Sequence, residues 1–276
     1  MTDPTYPLPP FSFNGLLAAE IVVLGYGYWF ALRRIAPLRL PSGATAATRG
    51  QVWRFISGLA VLWVSASWPM HDLGEQYLFS FHMTEHMVLG FVAAPLILSG
   101  VPAWLAEWLL PPKALRLVQW SSHPAPAFFS FTAALIWVHV PSVVAVQITS
   151  ELAHGGIHLI YMATALLAWM PVVSPHPALP PLRPPQRMAY LFAHSILPTI
   201  PASLLTFSTV ALYPSYGDAS LTWGLDPVTD QNIAGLIMKL GGGFLLWGRI
   251  VVIWFRWANS ERSDISQADP HAPTGT

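Results

Sequence analysis

His82-Met83-Thr84-Glu85-His86-Met87 leads straight into the apolar run Val88-Leu89-Gly90-Phe91-Val92-Ala93-Ala94-Pro95-Leu96-Ile97-Leu98. A helix that crosses a bilayer needs about 20 mostly apolar residues, so two imidazoles, two thioethers and a carboxylate stand at the mouth of a membrane span. Residues four apart share a helix face. His82 and His86 therefore project the same way, with Met83 and Met87 on the neighbouring stripe. His154 and His158 repeat that spacing at the start of a second apolar segment. The two pairs are expected to face each other near one membrane surface and to handle a metal, copper above all.

The composition agrees with a chain dissolved in lipid. Of its 276 residues 54% are apolar and 9% are Asp, Glu, Lys or Arg, against about 25% charged in a soluble domain. Several of the 13 Trp, among them Trp29, Trp53, Trp104, Trp137, Trp254 and Trp257, lie near the ends of apolar runs, as in the aromatic belts of membrane proteins. A formal net charge of zero gives no electrostatic case for nucleic acid. The chain has no cysteine, which excludes disulfides, thiolate metal sites and cysteine nucleophiles, so a soft-metal site must use Met and His. Nothing resembles a hydrolase or transferase constellation, and no enzyme activity is expected. Met1 to Phe13 is rich in proline and carries no basic cluster before an apolar core, unlike a cleavable signal peptide.

Seven segments qualify as spans: Phe13–Ile35, Val52–Met70, His82–Val101, Pro126–Ile148, Leu152–Val173, Met188–Leu212 and Gln231–Trp257. The expected fold is all-α, a polytopic integral membrane protein with a seven-transmembrane-helix bundle over residues 13–257. Residues 1–12 form an extracytoplasmic segment and residues 258–276 a cytoplasmic polar tail, read as disordered from Asn259. Pro102–Gln119 is too short to span and lies along the interface. Pro95, Pro198 and Pro201 should kink their helices. With seven alternating spans, Arg33, Arg34, Arg39, Arg49, Arg54, Lys113, Arg116, Arg183, Arg187, Arg256 and Arg262 fall on one side. Asp3, Asp72, Glu75, Glu151, Asp218, Asp226 and Asp230 fall on the other, with no Lys or Arg. The positive-inside rule then puts the N-terminus outside and the C-terminus in the cytoplasm of a bacterial plasma membrane.

This topology sorts the histidines. His71, His82, His86, His139, His154 and His158, six of the ten, gather in the outer leaflet. Polar groups within a membrane are costly and face the bundle interior, so these six are expected to converge. Imidazole suits copper and zinc, and thioether selects Cu(I). Glu85 or Glu151 would accept from an imidazole N–H and fix its tautomer. Met70, Met83 and Met87 either offer an entry route for Cu(I) or simply fill gaps in the core. A single membrane histidine usually bonds across helices, which suits His123, His176, His194 and His271. Lys239, inside an apolar helix about two turns from Asp230, pairs with an acid or snorkels. Gly241-Gly242-Gly243 points to close helix packing.

Three motifs carry a resemblance to a known family. The first is His82-Met83-x-x-His86-Met87 leading to Ala94-Pro95-Leu96-Ile97-Leu98-x-Gly100-x-Pro102. The second is Trp137-x-His139-x-Pro141, then His154-x-x-x-His158 and Trp169-x-Pro171. The third is Tyr213-Pro214-x-Tyr216, then Asp230-Gln231-x-x-Ala234-Gly235-Leu236-Ile237-Met238. From about Gly50 to Trp257 the chain resembles the multi-spanning CtaG family of cytochrome c oxidase assembly factors, first associated with caa-type oxidases and distinct from the single-span copper chaperone of that name. The resemblance implies a plasma-membrane protein needed to form active haem–copper oxidase, with oxidase subunits as partners and a proposed part in copper delivery. The positions it carries over are His82, His86, His139, His154, His158, Asp230 and Gln231, with Asp230 a further second-shell candidate. Where the family often has an acid before the second histidine of the pair, this chain has Ile157, which leaves Glu151 and Glu85 as carboxylate candidates. Rival readings are a haem-binding membrane redox protein, with paired histidines as axial ligands, a copper transporter, and a cofactor-free assembly scaffold.

Overall fold

The computed structural model of the chain describes residues 8–268. Every regular element among them is helical. Asp3 and His271 lie outside the described residues. In chain order the elements are α1 (Gly15–Arg39), α2 (Arg49–Ser65), α3 (Met70–Gln76), α4 (Phe79–Gly100), α5 (Ala103–Leu109) and α6 (Pro112–Ser121). They continue with α7 (Pro124–Val138), α8 (Pro141–Thr149), α9 (Glu151–Val173), α10 (Pro184–Phe207) and α11 (Pro227–Ser263). Five of these are long and apolar enough to cross a membrane, and six if α7 and α8 count as one broken span.

The expected count of seven also includes α2, which has 17 residues. It was expected to run on to Met70 and stops at Ser65. Proline disfavours the helical region for the residue before it, and Pro69 follows Trp68 just beyond this end. The Ser65 hydroxyl turns back to the Val61 carbonyl at 2.7 Å. The expected continuous span Pro126–Ile148 is corrected in the same way. Pro141 lacks an N–H and bends the path by 71° between α7 and α8, leaving His139 at the break as the C-cap of α7. Α10 is likewise interrupted, into Pro184–Ile196 and Thr199–Phe207, at Leu197-Pro198. Of the tail expected to be disordered from Asn259, residues 259–268 are helical and continue α11 beyond the span, and the rest lies outside the described residues. Pro95 does not break α4, because the turn before it, Leu89–Ala93, widens to a π-helix and frees the backbone from the carbonyl that the proline ring would strike.

Between helices bathed in lipid the hydrophobic effect contributes little, and close packing with interhelical hydrogen bonds takes over. The outward faces are apolar, with Val23, Leu152 and Phe244 each at least two-thirds exposed. Inside, aromatic donors satisfy backbone carbonyls across helices. Tyr28 Oη donates to the Gly100 carbonyl at 3.0 Å, Tyr190 Oη to Ala168 at 3.0 Å and Trp169 Nε1 to Gly90, in the π-helical turn, at 2.8 Å. Tyr161 Oη donates to the His86 carbonyl at 2.8 Å. A Cβ on Gly90 would lie 2.5 Å from that hydroxyl, so only glycine lets α9 come this close to α4.

Candidate metal centre

The centre forms where the first turns of α4 and α9 meet α3. The N-terminus of α4 has no capping side chain of its own. Its cap comes from α11: the Asp230 carboxylate accepts from Phe79 N at 2.6 Å, from Ser80 N at 3.3 Å and from the Ser80 hydroxyl. A carboxylate at a helix N-terminus satisfies orphan N–H groups and meets the positive end of the helix dipole. Asp230 is thus placed as the cap of the histidine helix. Gln231 beside it accepts from Leu212 N at 2.7 Å. Two tyrosines close the same end: Tyr213 Oη donates to the His139 carbonyl at 2.9 Å and Tyr216 Oη to the Gly74 carbonyl at 2.7 Å. Burial pushes both phenols up from their ordinary value of 10.0, so they remain donors. At Gly74 a Cβ would stand 2.8 Å from His82 N, and this contact sets α3, with Glu75, against α4.

The six histidines converge. Ring centroids step from His71 to His154 (4.9 Å), His154 to His158 (4.3 Å), His158 to His86 (5.0 Å), and from His86 to His82 (4.5 Å) and His139 (5.9 Å). Two carboxylates thread the cluster. Glu75 lies 3.2 Å from His82 Nδ1 and 3.1 Å from His154 Nδ1. Glu85, fully buried, lies 3.1 Å from His71 Nδ1 and 3.8 Å from His158 Nδ1. Glu151 is exposed in the first turn of α9 and makes no such contact among the described residues. Met83 and Met87 are buried. Met87 turns toward α11, its sulfur 3.0 Å from where a Cβ on Gly242 would lie, and lines a small pocket with His194 and Met238.

Glu75 is the residue that reading the sequence for metal chemistry missed. Its signal was present: it follows His71 by four residues, one helix turn. The Glu75, His154 and His158 ligand atoms all lie within 4.8 Å of one another, close enough to share an ion.

The hydrogen bonds also assign tautomers. A carboxylate takes the Nδ1 hydrogen of His82, and the Leu135 carbonyl takes that of His139, leaving Nε2 as the lone-pair nitrogen. The Nε2 atoms of His82, His139 and His158 are buried without a partner, as are both ring nitrogens of His86. An unsatisfied buried polar atom costs about 1–3 kcal/mol. These five nitrogens are candidate ligands for a cation that accepts imidazole nitrogen, although among the described residues the ligand atoms that lie within 4.8 Å of one another are those of Glu75, His154 and His158.

The α3 groups hold charge of both signs. Burial works against the His71 imidazolium, but its bond to Glu85 and the charges of Glu85, Glu75 and Asp72 outweigh that and raise it from 6.5 to about 9. Burial also works against the Glu75 carboxylate, yet His154 and His82 hold it well below the usual carboxylate range. A group raised on folding stabilises the fold fully below its unfolded value, and loses that contribution as pH climbs through the folded one. Metal-free protein should therefore lose thermal stability between about pH 7 and pH 10, and His71→Gln should remove most of that slope. A parallel pH profile for the variant would deny the His71–Glu85 pair this part.

Fold and centre together define a class: a polytopic helical membrane protein whose spans enclose a cluster of imidazoles and carboxylates at one end. Within that class the chain belongs to the cytochrome c oxidase caa3 assembly factor family (Caa3_CtaG), whose family model matches residues 23–260. It is also similar to uncharacterised proteins of Mycobacterium bovis and Mycobacterium tuberculosis, each 26% identical over 96% of this chain and 42% of the relative. A Mycobacterium leprae protein is 23% identical over 94% of this chain and 41% of its own length. The chain thus spans less than half the length of the curated relatives it matches. No solved structure matches it.

Proposed function

We propose that the protein binds copper at the histidine end of the bundle and passes it to a cytochrome c oxidase subunit during assembly, without being an enzyme. The observation that carries this reading is the set of buried, partnerless nitrogens on His82, His86, His139 and His158. In this scheme His82, His86 and His158 hold copper as cargo, His139 completes the set from the helix break, and His154 and His71 at the rim admit the ion. Glu75 and Glu85 orient the imidazoles and balance charge. Imidazole ligands without thiolate exchange readily, as handing on a metal requires.

The same reading makes α2 the seventh span, with the N-terminus outside, residues 258–276 in the cytoplasm and the histidine end at the outer face of the plasma membrane. At 17 residues α2 is about 26 Å long, slightly short of a hydrocarbon core of about 30 Å, a gap that local thinning of the bilayer accommodates.

Metal analysis of purified protein tests the site. His86→Ala combined with His158→Ala should abolish stoichiometric copper while leaving the protein folded, and equal copper in variant and wild type would sink the proposal. A stoichiometric Soret band in the absorption spectrum would favour haem instead.

A further inference from the structure

The far end of the bundle carries the opposite chemistry. Arg249 lies on α11 nineteen positions after Asp230, about 28 Å along the helix at 1.5 Å per residue. That places it one bilayer thickness from the histidines. Its guanidinium is half-buried, and its Nε is sealed from solvent with no hydrogen-bond partner. Three further arginines stand at the same end of the bundle, Arg256, Arg187 and Arg54, and α10 packs directly against α11 there. Arg256 is two turns further along α11, Arg187 is in the first turn of α10 and Arg54 in the second turn of α2, so three helices contribute. Arg187 Nε is committed to the Leu182 carbonyl, while Arg54 and Arg256 are exposed. The ion pairs among the described residues all involve histidine, so none of them pairs a carboxylate with these four arginines. Four guanidiniums with no carboxylate partner among the described residues, one of them with a buried donor unmade, are costly at the edge of a membrane. Just toward the membrane interior, Trp247 and Phe192 stack edge to face and are both about half exposed to lipid.

We propose that Arg249, Arg187, Arg54 and Arg256 form a binding site for the phosphodiester headgroup of an anionic lipid, seated between α10 and α11 at the end opposite the histidines. Guanidinium is suited to phosphate because its planar fork donates in pairs, and basic pockets between spans bind anionic headgroups. The apolar rim made by Trp247 and Phe192 selects a phosphate that carries acyl chains over a free one.

The test compares thermal unfolding of detergent-solubilised full-length protein with added phosphatidylglycerol, phosphatidylcholine or inorganic phosphate. Phosphatidylglycerol alone should raise the melting temperature in a dose-dependent way. Arg249→Gln should weaken its apparent affinity at least tenfold. Arg54→Gln with Arg256→Gln, both at exposed positions where folding is not at stake, should weaken it severalfold. Copper content should not change in either variant, so this site and the histidine centre can fail separately. An equal response to phosphatidylcholine, an equal response to inorganic phosphate, or an undiminished phosphatidylglycerol response in both variants would each overturn the proposal.

Discussion

Glu75→Gln should cost the protein 10- to 100-fold in copper affinity, although Glu75 lies on a seven-residue helix outside the spans. Its two oxygens each hold the Nδ1 of one imidazole, His82 on α4 and His154 on α9. They thereby fix both rings with Nε2 presented as ligand atom. Outer-shell carboxylates of this kind are worth about that factor in metal affinity. Glutamine keeps the shape but has one acceptor oxygen and a donor amide, so one imidazole loses its acceptor and the charge that offsets the cation is gone. Competition with a chelator of known affinity measures the effect. An unchanged affinity would remove Glu75 from the site while leaving the histidine ligands standing.

The second large effect is expected on stability. Asp230→Ala leaves two buried N–H groups and a hydroxyl at the start of α4 without their acceptor. At about 1–3 kcal/mol per orphaned group, partly relieved by water, the loss should be on the order of 3–5 kcal/mol, at the top of the range for single substitutions. Asp230→Asn keeps one acceptor oxygen and should retain part of this stability. Thermal or denaturant unfolding reads both variants. Because the cap lies in the turn that carries His82, Asp230→Ala should weaken copper binding as well. Alanine and asparagine variants of equal stability would show that the cap contributes nothing.

Much of the site was legible because charge and hydrophobicity are separated so cleanly along the chain. The positions of arginine and acid, with the apolar runs, put six histidines at one depth before any contact was known. Convergence follows from that depth plus the cost of facing a histidine to lipid. The six do meet in one chain of ring contacts. What the sequence did not reveal depended on a third dimension that helix periodicity lacks. Glu75 read as one more acid in a polar loop, because nothing local shows that Gly74 brings it against His82. Asp230 read as a ligand partner, since its real partners, Phe79 and Ser80, lie 150 residues earlier. The bend at Pro141 was hidden in an apolar run whose composition fits one continuous span. Yet this bend puts His139 at a helix end, where Leu135 takes its Nδ1 hydrogen and Tyr213 holds its carbonyl. The length of α2 was overestimated because hydropathy does not register where a helix stops.

The cap on α4 also fixes an order of events. A ribosome releases residue 79 long before residue 230, and domains emerge and fold from the N-terminus onward. Until the last helix enters the membrane, the turn bearing His82 has no acceptor for its first N–H groups. Tyr213 and Tyr216, which fasten His139 and Gly74, also arrive late. The imidazoles are made early but locked late, so the histidine cluster is complete only once the last helix is in place. On the proposed copper reading, only the finished molecule can hold the ion firmly.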